Sequence, residues 1–338
     1  MRIKAERKQD IVLYLLEKIA NGETAVTKVT SLAFGISQNT AHAYIQELLE
    51  QGIIRRIKQG KYELVTHSET YQFKRSEGGL DSDTLPYDLC VAPVLSHVQE
   101  NIRHIWSYVV SEMVNNVMDH SEAEHMHVLV KHNYLITSVL IMDDGVGIFD
   151  KIQKHFSLPK MDDAIAELFK GKLTTDETNH SGEGIFFSSK MMDKFLILSG
   201  GGVFATTKFS EDIILELQDQ VVAGTCVFME LSNFSKKSTK EVFDLYTDCD
   251  DGFSKTYIPL KHFFDSAPVS RSQAKRLCSR LERFKEIEID FEGIDWMGQG
   301  FAHQIFVVYQ NQYPNTKLVP LHMSEGVKSM YIHVTNTK

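Results

Sequence analysis

The sequence predicts an α/β (α+β) protein built as three modules in series. Its 338 residues exceed what one hydrophobic core usually organises. Residues 1–66 read as three short helices and a hairpin, whereas residues 236–338 alternate strand and helix. Composition agrees with folded modules: 43% hydrophobic and 24% charged residues, with seven prolines, leave no low-complexity tract. No internal repeat is apparent.

In the first module, Ile11, Tyr14, Leu15, Leu16 and Ile19 fall at helical spacing over 8–20, and a second helix runs from Thr24 to Phe34. Ser37 is placed to cap a third helix with the apolar stripe Ala41, Tyr44, Ile45, Leu48 and Leu49, which Gly52 stops. Two strand-like runs, 53–57 and 62–65, flank a Gln59-Gly60 turn. Three helices followed by a basic hairpin resemble a winged helix-turn-helix domain, and SQNTAHAYIQELLEQGII is similar to that family's recognition helix leading into its wing. The resemblance implies that Ser37, Gln38, Asn39, Thr40 and His42 face the DNA major groove. It places Arg55, Arg56, Lys58 and Lys61 on or near the wing, against phosphates. This segment carries ten Lys/Arg against seven Asp/Glu in a chain of net charge −9, so it alone suits a polyanion. Winged helices also serve protein contacts and homodimerisation, and that alternative stands beside DNA binding.

Residues 67–83 are polar, contain glycine and show no sustained period, which predicts a linker. The charged start MRIKAERKQD, with Glu17 and Lys18 inside the following helix, lacks the apolar core of a signal peptide. No run of ~18 apolar residues predicts a membrane span. Cys90, Cys226, Cys249 and Cys278 are widely separated without CxxC spacing, against a zinc site or disulfide framework and in keeping with a cytoplasmic location.

The central module, 84–235, carries the chemistry. A helical region from about Asn101 to His120 contains SEMVNNVMDHS, in which Glu112, Asn116, Asp119 and His120 share one helical face. An amide oxygen suits a magnesium shell completed by phosphates and waters, and a carboxylate can activate a nucleophile near a terminal phosphate. Taken alone, the face is equally a polar surface. About 30 residues after Glu112, the apolar strand Leu135 to Met142 runs into Asp143-Asp144-Gly145-Val146-Gly147-Ile148. A buried carboxylate there accepts from an exocyclic amine while the glycines let backbone approach a ligand; in isolation the loop is also compatible with a calcium-like loop or a plain turn. His180-Ser181-Gly182-Glu183-Gly184-Ile185 opens a helix whose backbone N–H groups suit a phosphate. Thr225 follows Gly224 in the strand-like VVAGTCVFMEL.

These four elements, in this order, resemble the GHKL family of gyrases, histidine kinases and anti-sigma serine kinases. The resemblance covers about 150 residues. It implies an ATP-binding α/β sandwich, a mixed and mainly antiparallel sheet with helices on one face. In it Asn116 holds magnesium, Asp143 reads adenine and Thr225 supports Asp143. Gly145, Gly147, Gly182 and Gly184 shape the pocket, with Asp119, His120, Ile148 and Ile185 around the nucleotide. Residues 149–181, with Lys172, Thr174 and Thr175, take the place of the mobile ATP lid, Lys172 as a phosphate contact. Glu112 stands where gyrase-like and serine-kinase-like members carry a general base. No H-E-x-x-x-P helix surrounds His97 or His104, so a sensor histidine kinase is not expected.

The third module, 236–338, offers strands at Tyr257 to Leu260, EIEIDFEGI and KLVPL, interleaved with helices at 272–284, 300–309 and 325–330. SRSQAKRL, IDFEGIDWMGQGFAHQIF and SEGVKSM resemble the STAS-like domains of unknown function found after GHKL modules. Their distant relatives carry a phosphorylated serine at the strand-to-helix turn; here that turn is Trp296-Met297-Gly298-Gln299-Gly300, without a hydroxyl. The expected function is an ATP- and magnesium-switched regulator, with slow hydrolysis through Glu112, that controls DNA or protein binding. The alternatives are a serine/threonine kinase acting on a separate partner and a non-catalytic nucleotide-dependent adaptor.

Overall fold

The computed structural model describes residues 2–172, 182–218, 223–248, 252–264 and 266–336. The chain opens with three helices, α1 (Arg2–Ala20), α2 (Val26–Phe34) and α3 (Gln38–Glu50), and an antiparallel hairpin of β1 (Ile54–Lys58) and β2 (Lys61–Leu64). Ser37 caps α3, its hydroxyl accepting the Thr40 N–H at 3.1 Å. The helical stripes do their expected work: Leu15, Leu16, Ile45 and Leu48 meet Ile54 and Tyr62 of the hairpin in one small core.

Residues 67–74, expected as linker, are instead the edge strand of the central sheet. This strand, β3 (His67–Lys74), pairs along its whole length with β4 (His125–His132). Only Tyr71 and Phe73 turn toward the core, so a strand with a long polar outer face reads as linker. Between them α4 (Glu100–Asn116) packs Ile105, Trp106, Val109 and Val110 against the sheet.

The sheet continues with β5 (Ile136–Asp143), followed by α5 (Ile148–His155), α6 (Met161–Lys170) and α7 (Gly184–Met191). Then come β6 (Lys194–Ser199), β7 (Gly202–Ala205), α8 (Glu211–Gln218) and β8 (Thr225–Ser232). The strand order is β3-β4-β5-β8-β6-β7, and every pair is antiparallel. Among the described residues parallel pairing is confined to the C-terminal sheet, so the mixture lies between the two sheets and not within the larger one. Nor are the helices all on one face: Ile214 and Leu217 of α8 sit with Leu140, Leu196, Leu198 and Cys226 on the other.

After α9 (Thr239–Tyr246), capped by a reciprocal Ser238–Glu241 box, β9 (Thr247–Asp248) pairs briefly with β10 (Gly252–Phe253). The C-terminal module then alternates β11 (Lys255–Pro259), α10 (Arg271–Cys278), β12 (Glu286–Asp290), α11 (Gln299–His303), α12 (Gln310–Gln312), β13 (Lys317–Leu321) and α13 (Glu325–Asn336). A π-helical stretch joins α11 to α12. Its three strands are parallel in the order β11-β12-β13, the geometry that strand–helix–strand alternation dictates. No helix among the described residues is long and apolar enough to cross a membrane.

Candidate functional site

The buried stripe of α4 leaves Glu112 and Asn116 on the helix flank, beside the end of β5. At Asn116 the helix widens into a π turn, Val117–Ser121. The wider turn keeps His120 in the cleft but sends Asp119 out to solvent, so the four-residue face expected from regular spacing is not presented intact.

Glu112, Asn116, His120, Asp143, Ile148, Gly182, Gly184, Ile185 and Thr225 line one cleft of about 260 Å³. That is near the lower end of the ~300–1,000 Å³ usual for small-molecule sites. Segments more than a hundred residues apart thus converge on one space. Asp143 ends β5 and is 7% exposed. Its Oδ1 accepts the Gly145 N–H at 2.9 Å, and its carboxylate also accepts the Thr225 N–H. Burial outweighs these bonds and pushes the carboxyl up to about 6. Thr225 also accepts the Ile148 N–H on Oγ1 at 3.1 Å, tying β8 to the loop after β5.

Two glycines permit this convergence. A Cβ on Gly145 would overlap the Ser121 carbonyl, which itself accepts the Val146 N–H at 2.6 Å. A Cβ on Gly184 would overlap Glu112 Oε2, so the start of α7 lies directly on α4. Gly145 and Gly147 do not line the cleft: they line a recess on the far side of the loop, with Gly147 against Ser199 Oγ. Glu112 accepts a hydrogen bond from the Tyr108 hydroxyl one turn earlier.

Of the segment expected as a mobile polar lid, the described residues 149–172 are largely helical and packed. Phe149 and Ile152 of α5 and Ala164, Leu168 and Phe169 of α6 are buried, and Ile152 and Leu168 line the cleft. Both helices are amphipathic, so their polar faces alone account for the loop-like look of this stretch in sequence. Thr174, Thr175, His180 and Ser181 lie outside the described residues. Lys172, expected on a phosphate, points away: its Nζ donates to the Arg283 carbonyl at 3.1 Å and sits 5.0 Å over the Phe284 ring. Burial draws its ammonium below the usual lysine range.

Sequence reasoning missed Lys151, which lines the cleft and donates to the His120 carbonyl at 2.7 Å. Its position three residues into the helix that follows the Gly-Val-Gly turn was the available clue. Also missed was Asn115, in the cleft wall and bonded to Asp83 at 3.3 Å.

In the N-terminal module, Gln38, Asn39 and His42 are exposed on α3, whereas Ser37 and Thr40 are 2.9 Å apart and engage each other. Arg55 pairs with Glu63 and Arg56 stacks over Tyr62, leaving Lys58 exposed and Lys61 half-buried at the hairpin tip.

In the C-terminal module, the turn after β12 exposes Trp296, and Gly298 donates to the Pro268 carbonyl at 2.9 Å. Residues 273–328, from α10 into α13, match the family described as STAS-like domain of unknown function (DUF4325). The chain carries a STAS-like domain. Its parallel sheet presents β11, just outside the matched stretch, toward α6 and α9. At the carboxyl end of that sheet Asp290, almost fully buried, accepts from the Tyr257 hydroxyl and pairs with His322 Nδ1 at 2.8 Å. No curated protein matches the chain.

Proposed function

We propose that the central module binds ATP with magnesium in this cleft, as its likeness to the GHKL family implies, and that occupancy switches DNA or protein binding by the flanking modules. The observation that carries the reading is convergence. Three motifs separated by tens of residues, around Glu112–His120, Asp143–Ile148 and Gly182–Ile185, line one space with Thr225. A chance set of polar residues has no reason to do so.

The residues present fit the ligand. Asp143 is a buried acceptor whose desolvation an exocyclic amine relieves. The Asn116 amide makes no hydrogen bond among the described residues and would offer its oxygen to magnesium. Lys151 puts a cation in the cleft wall, and the start of α7, whose N–H groups favour an anion, lines the same cleft. Magnesium, when bound, would neutralise charge on the phosphates. Glu112, oriented by the Tyr108 hydroxyl, would hold a water and take its proton.

Exposed Gln38, Asn39, His42 and Lys58 are the residues we assign to DNA contact. Calorimetry of the full chain with ATP, with and without magnesium, tests the first step, and DNA retention in the same preparations tests the switch. Retention identical with and without nucleotide would uncouple the modules. Radiolabelled γ-phosphate on a second protein, in place of inorganic phosphate, would turn the reading to a protein kinase.

A further inference from the structure

The outer wall of the cleft is not held by the central module alone. Helix α6 presents Leu168 to the cleft, and its last residue reaches into the STAS-like domain. Lys170 is 2% exposed and Glu167 6%. Lys170 Nζ donates to Glu167 Oε1 at 2.6 Å, to the Arg276 carbonyl at 3.2 Å and to the Ser279 carbonyl at 3.0 Å. All three ammonium protons are used, two of them on carbonyls at the C-terminus of α10, where a cation is favoured.

Further bonds run the same way. Thr256 Oγ1 of β11 donates to the Lys170 carbonyl at 2.7 Å, and Arg276 reaches Asp163 at 3.3 Å. Gly171, which also lines the cleft, lies so near the Phe253 ring that a Cβ would stand 2.7 Å from it. A buried charge of this kind is costly unless every proton has its acceptor, so α6 and α10 fix each other's position.

We propose that the STAS-like domain braces the outer wall of the cleft, gripping α6 through Lys170 and thereby holding Leu168 and Gly171 where they enclose the ligand. Lys170 is a positioning residue: it touches nothing in the cleft and acts through α6. Ligand retention therefore depends on the STAS-like domain, and a partner that draws α10 away from α6 opens the site. The identity of the ligand rests on the nucleotide reading above; the grip on α6 does not.

The test uses the full chain and two variants, Lys170→Met and the milder, near-isosteric Thr256→Val. Hydrogen exchange without nucleotide is expected to show α6 amides exchanging about tenfold faster in Lys170→Met, and less so in Thr256→Val, while β4 and β12 keep wild-type protection. With a fluorescent ATP analogue, dissociation is expected to quicken about tenfold at an unchanged association rate, a split that general loss of folded protein does not produce. Wild-type exchange of α6 in both variants overturns the grip, as does protection lost evenly from α6, β4 and β12 in Thr256→Val. Failure of the wild type to bind the analogue removes the nucleotide reading alone, and the exchange result still decides on the grip.

Discussion

Replacing Asp143 with asparagine separates what the residue does for folding from what it does for binding. Burial lifts the carboxyl from 3.8 to about 6, so the folded protein holds this proton more tightly than the unfolded chain does. The sign follows: stability falls as pH rises from about 4 to about 6, and the loss persists above that window. A shift of that size corresponds to about 3 kcal/mol at pH 7. The amide of the Asp143→Asn variant would keep an oxygen for the Gly145 and Thr225 N–H groups without carrying charge. Urea titrations of Asp143→Asn and wild type are expected to agree near pH 4, with the variant more stable by up to about 3 kcal/mol at pH 7.5. ATP affinity moves the other way, falling about 10- to 100-fold because the amide can set a donor against the adenine amine. Wild-type ATP affinity should itself rise with pH through about 6, as the carboxylate forms. A stability difference that does not vary with pH would refute the assignment of a strained, buried carboxylate.

Gly145→Ala drives a Cβ into the Ser121 carbonyl, and a thermal melt is expected to show a loss of about 1–3 kcal/mol, with ATP binding weakened alongside. Lys58→Ala is expected to weaken DNA retention uniformly across sequences and to reduce the salt slope by about one; an unchanged slope argues that the hairpin touches no phosphate through this residue. Ser238→Ala removes the hydroxyl that accepts the Glu241 N–H in the α9 capping box and should cost about 1 kcal/mol in urea denaturation without altering nucleotide affinity.

Elements with a strong period and an unambiguous stop were legible in the sequence. Ser37 to Gly52 and the strand–helix alternation of the last module came through because capping, periodicity and turn residues agreed locally. The strand β3 did not, since its outer face is polar and its only hydrophobic evidence is Tyr71 and Phe73. The cleft was legible as motifs but not as geometry. Asp119 left the site because α4 ends in a π turn that no spacing rule reveals, and Lys172 left it because its partner carbonyl lies 111 residues further along the chain. The grip of Lys170 was invisible for the same reason: its acceptors are main-chain atoms of a distant helix, and a carbonyl leaves no trace in side-chain patterns.

Calorimetric titration of ATP into the full chain, with magnesium and with a chelator, for wild type and Asn116→Ala, bears most directly on the central reading. Wild type is expected to bind one equivalent with a heat that depends on magnesium, and Asn116→Ala to lose that dependence while retaining the fold. Wild-type protein that takes up no ATP, or takes it up equally with chelator present, contradicts magnesium-nucleotide binding at this cleft.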